Sequence, residues 1–143
     1  MKKYGMVVGI LLLCLAAVVH LAAEPSDENA QQVFAEMTAG MNLLAEQVAQ
    51  MESPEDFIEA CNCYADTVEE YGKRMYALMK AHPEWGENPP PELAETLAEY
   101  GEALMDYDPA LNAITSYAND HTENEAVQSA MKRLNTAVYS MYK

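Results

Sequence analysis

Apolar residues return at alternating intervals of four and three along four successive stretches of this chain, with polar residues between them. The first stripe is Ala30, Phe34, Met37, Met41, Leu44, Val48 and Met51. The second is Phe57, Cys61, Tyr64, Val68, Tyr71, Met75, Leu78 and His82, widened by Ile58, Ala65, Gly72 and Met79. Leu93, Leu97, Tyr100, Leu104, Tyr107, Leu111, Ile114 and Ala118 form the third, and Val127, Met131, Leu134, Val138 and Met141 the fourth. Such spacing gathers each set on one side of an α-helix. The pattern predicts helices over 27–51, 54–82, 91–118 and 123–142, and almost no strand signal competes with it.

The punctuation between the stripes agrees. Ser53 can cap the second helix, with Pro54 at its first position and Asp56 as the capping-box acid. His82-Pro83 ends that helix, because the residue before proline disfavours helical dihedrals. Glu84 to Pro91, with Trp85, Gly86 and three consecutive prolines, reads as the longest ordered connection. The third stripe keeps its phase across Asp108-Pro109, so one helix with a kink at Pro109 is expected there. Thr122-Glu123-Asn124-Glu125 reads as a second capping box.

Four amphipathic helices with short links predict an all-α fold, an up-down-up-down four-helix bundle forming a single domain over 24–143. That topology gathers His82, Trp85, Tyr139, Met141 and Tyr142 at one pole, together with the basic residues. It places Met51, Cys61, Cys63, Tyr107 and His121 at the other, which is almost purely acidic.

Ahead of the stripes, Lys2 and Lys3 precede an uncharged apolar run from Gly5 to Val19, and the chain turns polar after Ala23. This is the layout of a signal peptide over 1–23. A periplasmic or secreted location follows, or tethering through an uncleaved N-terminal helix, since Tyr4 to Ala23 is long enough to span a bilayer. The formal net charge is −15, and removing Lys2 and Lys3 makes it more negative. So acidic a surface argues against nucleic acid and anionic membranes, and is compatible with an unidentified protein or cationic partner.

Candidate chemistry is sparse. Cys61 and Cys63 are the cysteines outside the leader, a disulfide or free-thiol pair. Two residues along a helix is a rotation of about 200°, so only Cys61 shares the stripe and Cys63 faces elsewhere. An intermolecular disulfide through Cys63 would make a homodimer. The methionines fall mainly on stripes, where an adaptable thioether serves as core filler. His82 lies on the second stripe near the mixed-charge pole. Catalytic residues and a metal centre are not predicted: there is no Cys-x-x-Cys-His, no Glu-x-x-His pair, no nucleophile motif and no phosphate loop.

The exported chain, the early methionine at Met37, the Pro-rich central link and the ending Ala137-Val138-Tyr139-Ser140-Met141-Tyr142-Lys143 resemble the small periplasmic b-type cytochromes of the four-helix-bundle type. That resemblance implies haem held between a methionine of the first helix and a histidine of the last. Met37 matches the first position. The fourth helix has no histidine, and only His82, from the second helix, could take the other place. Two readings follow. The first is a non-enzymatic, exported binding or interaction module without a cofactor. The alternative is a haem b or Cu(I) carrier using Met37 and His82, with the disulfide-linked dimer as a further structural reading.

Overall fold

A computed structural model of the chain describes residues 27–143, with side chains from Ala30 onward. The leader read at 1–23 lies outside the described residues. Those residues form four helices and no strand. None of these helices is long and apolar enough to cross a membrane.

Helix α1, Asp27–Ala49, buries Ala30, Val33, Phe34, Met37, Met41 and Leu44, as its stripe requires. Thr38 is the polar residue within that face. Its hydroxyl donates to the Phe34 carbonyl at 2.8 Å, which removes the cost of an unpaired buried group. Val48 and Met51, at the far end, are half-buried.

Helix α2 occupies 54–81 as one continuous rod. Its start is a reciprocal capping box: the Asp56 N–H donates to Ser53 Oγ at 3.2 Å, and the Ser53 N–H donates to Asp56 Oδ2 at 2.9 Å. Within the rod, Val68–Gly72 is a π-helical turn. Such a turn holds one extra residue and rotates everything beyond it. Met75 and Leu78 keep their expected buried places beyond it, and the departure of the stripe itself is local to the turn. After Val68 the next buried residue is Gly72, whereas Tyr71 is half-buried. Gly72 leaves room for Met141, whose Cγ would lie 2.7 Å from a Cβ placed there. Met79, expected on the buried face, is 46 % exposed.

A 3-10 turn, Pro83–Gly86, follows α2. Residues 91–93 form a turn, so α3 begins at Ala94 rather than at 91 and runs unbroken to Asp120. Pro109 lies inside it. The carbonyl deprived of an N–H partner belongs to Met105, which is 78 % exposed, so water can replace the lost bond. Helix α4 is Glu125–Ser140. Its cap is Asn124, not Thr122: Asn124 Oδ1 accepts from the N–H groups of Ala126 and Val127 at 3.1 and 3.2 Å.

Packing is most extensive between α1 and α3 and between α1 and α2, closely followed by α2 and α4, whereas α3 and α4 meet sparsely. Phe34 meets Tyr100 near the start of α1 and α3, and Ala45 and Val48 share a depression with Pro109 and Ala110 further along. Those two helices therefore run in the same direction. The long proline-bearing link permits this placement, because it can carry α3 across to the side of α1. Leu93, Ile114 and Ala118 keep their expected buried places on α3 and its entry, and close approach alters the stripe only in the middle. Ala103 and Ala110 are buried where Leu104 and Leu111 were expected, and Leu104 is 38 % exposed.

Helix α4 is tied to α2 by one side chain. Arg133 Nη1 donates to Asn62 Oδ1 at 3.1 Å, and Nη2 donates to Glu69 Oε2 at 3.1 Å and also to Asp66 Oδ1. These ion pairs hold the Arg133 charge above its already high ordinary value, Asp66 contributing most.

Candidate functional site

The chain's single tryptophan organises the site. Its position is fixed by local hydrogen bonds. The His82 N–H donates to the Leu78 carbonyl at 2.9 Å and closes α2, and the Trp85 N–H donates to the His82 carbonyl at 3.1 Å. Glu87 and Asn88 return N–H bonds to the Glu84 carbonyl at 3.1 and 2.7 Å. The turn thereby folds back on itself and presses Trp85 into the protein, where it is 8 % exposed.

Three aromatic rings from three parts of the chain meet there. Phe34 of α1 packs edge-on against Trp85, with centroids 6.4 Å apart, and against Tyr100 of α3 at 5.4 Å. Edge-to-face contacts of this kind are favoured by the ring quadrupole. His82 lies flat on Trp85, centroids 4.1 Å apart and planes within 4°. Its Nδ1 is 3.2 Å from Glu84 Oε1. The Glu84 carboxyl is held below the ordinary value by its own backbone N–H and, to a lesser degree, by His82.

Beside these rings is a cleft of about 420 Å³, walled by Phe34, Met79, His82, Trp85, Leu97 and Tyr100. Two glycines, Gly86 of the connector and Gly101 of α3, also line it, and a Cβ built on either meets no atom within 4 Å. The α3 wall is Ala94, Leu97, Ala98 and Gly101, one helical face running along the cleft. The volume falls within the range of small-molecule sites, roughly 300–1,000 Å³. No Asp or Glu is part of the wall.

Of the residues singled out from sequence, His82 lines this cleft and Met37 does not. Met37 is 1 % exposed among the core side chains. The thioether at the cleft is that of Met79. Among the described residues, no group of three or more His, Cys, Asp or Glu side chains is placed to hold a metal ion. Cys61 and Cys63 are both free thiols. Cys61 is fully buried, and burial pushes its thiol up to about 12. Cys63 is half-buried, as their separation along the helix requires.

A second aromatic group lies between α2 and α3. The Tyr64 and Tyr107 rings are 5.3 Å apart. Burial raises the titration of Tyr64 far above the ordinary value, and raises Tyr100 and Tyr107 as well. Tyr64 and Tyr107 pack within the interior, whereas Tyr100 is also a wall of the Trp85 cleft.

The signals for the aromatic cleft were only partly in the sequence. Topology placed Trp85 at the same pole as His82, but the roles of Gly86 and Gly101 depend on what surrounds them. No family model, no curated protein and no solved structure matches this chain.

Proposed function

We propose that this chain is a non-enzymatic, exported binding module, built as an up-down-up-down bundle, whose working surface is the cleft at Trp85. One observation carries the reading. Gly101 sits in the middle of a helix, where glycine costs about 1 kcal/mol relative to alanine, and nothing packs against it. An unfavourable residue facing open space keeps the cleft wide, and local rules tend to be broken where function requires it. Gly86, across the same space, has the same property. The aromatic walls supply the apolar contact, and the polar groups of His82 and Tyr100 can orient an occupant.

Sidedness supports binding over haem or copper carriage. Met37, the position implied by the resemblance to b-type cytochromes, is a core residue away from the cleft that His82 lines. The reading is tested with the fluorescence of Trp85 as a reporter. Titration with a neutral aromatic probe, N-phenyl-1-naphthylamine, should give a saturable change that Gly101→Leu abolishes while helical circular dichroism is kept. A linear, unsaturated response identical in the two proteins would refute it.

A further inference from the structure

We infer that the occupant of the Trp85 cleft is a small organic cation with an apolar body, of the alkyl- or aryl-trimethylammonium class. This rests on the cleft being a binding site, and adds the charge of what it binds. The walls include the rings of Phe34, Trp85 and Tyr100, one face of Trp85 being covered by His82, and an aromatic face carries the negative end of the quadrupole and attracts cations.

On two of the cleft's sides the charge has the same sign, while Lys80 on α2, between Met79 and His82, is the cation next to the walls in sequence. No Lys or Arg occurs anywhere from residue 81 to residue 131. The connector and the first turns of α3, which build two walls of the cleft, carry Glu84, Glu87, Glu92, Glu95 and Glu99. A cleft between low-dielectric walls focuses such a field, favouring cations and repelling anions.

The type of cation follows from what the walls lack. A primary ammonium needs acceptors for its N–H groups, and none of the lining residues is a carboxylate. Entering the cleft would strip its water, and the His82 ring and the Tyr100 hydroxyl are the only side-chain nitrogen or oxygen acceptors in the walls, too few for three N–H groups. A quaternary ammonium has no N–H to satisfy and spreads its charge over methyl groups, so ring faces and a distant acidic field suffice. The chain already contains a partial likeness of this arrangement. His82, a ring able to carry positive charge, lies flat on Trp85 with the Glu84 carboxylate at its edge.

The test uses the full chain and two probes of equal shape, phenyltrimethylammonium and its uncharged isostere tert-butylbenzene, each followed by Trp85 fluorescence. The cation should bind at least about fivefold more tightly at low ionic strength, within the strength of cation–ring attraction. The preference should narrow as salt screens the acidic field. Gly101→Leu should remove both signals, and Tyr100→Leu should reduce the advantage of the cation severalfold while retaining the neutral probe. Equal affinity, or tighter binding of the hydrocarbon, would overturn the cation and leave the cleft as an apolar site. Absence of saturable binding by either probe would overturn both readings. The decisive comparison is made on the unmodified protein, so it does not depend on a variant folding.

Discussion

A Cβ placed on Gly40 would fall 2.6 Å from Thr67 Cγ2 and 3.1 Å from Thr67 Cβ, so α1 and α2 meet here with no room for a methyl group. Thr67 cannot swing aside freely, because its hydroxyl donates to the Cys63 carbonyl at 3.3 Å and its branched Cβ is itself in the way. Gly40→Ala should therefore destabilise the protein by about 1–3 kcal/mol, the usual range for overpacking. Gly101→Ala should do the opposite and stabilise by about 0.5–1 kcal/mol, since its Cβ meets nothing and the helix gains. Urea midpoints of the two variants test the pair. A shift of the same sign in both would contradict the contrast.

Arg133→Met should lower the melting temperature at low salt, because three partners on α2 lose their shared donor. The Arg133 side chain is 38 % exposed, so the deficit should be modest and should shrink in concentrated NaCl. A deficit that does not respond to salt would assign the effect to packing instead.

The two free thiols should differ sharply in reactivity. Alkylation depends on thiolate and access, and Cys61 has neither at pH 8, being fully buried with its thiol pushed up to about 12. Iodoacetamide should label Cys63 in the folded protein and Cys61 only after unfolding, as read by tandem mass spectrometry of the segment bearing both. Equal labelling rates in the folded state would show that α2 opens locally around Cys61.

Stability should fall on both sides of neutrality, for different reasons. Cys61, Tyr64, Tyr100 and Tyr107 are weak acids kept protonated by burial, so their folded titration lies above their unfolded one. For Cys61, the contribution is complete below its ordinary value of 9.0 and disappears as pH rises toward about 12, and the tyrosines extend the loss upward. Asp56 acts in the other sense. The N–H of Glu52, then the Ser53 hydroxyl and N–H, hold its carboxyl below its ordinary value of 3.8. Its contribution is present above that value and is lost as pH falls through it and beyond. Urea midpoints at pH 3, 7 and 11 should peak at the middle value, and Asp56→Asn should flatten only the acid limb.

The helices were legible in sequence because amphipathic spacing and capping are local. Ser53, Pro54 and Asp56 carry the start of α2 in their own side chains, and Phe34, Met37 and Leu44 needed only the helical period. The misses arise where a neighbour decides. Tyr71 yields its buried place to Gly72 because Met141 comes from another helix. Leu104 is displaced by Ala103 because α1 packs closely against α3. The cleft was legible only as far as His82 and Trp85 sharing a pole. That Gly101 faces open space is a property of the assembled rings, and no spacing rule expresses it.

The π turn at Val68–Gly72 also sets the aim of everything that follows it in α2. Each residue of an α-helix advances the side chains by about 100°, so deleting one residue from the turn would restore a regular helix and swing Met79 and His82 by that angle. The His82–Trp85 stack would then leave its place beside Phe34 while α1, α3 and α4 kept theirs. A single surplus residue, roughly two to three helical turns before Met79 and His82, acts as the protractor by which the bundle points its aromatic wall inward.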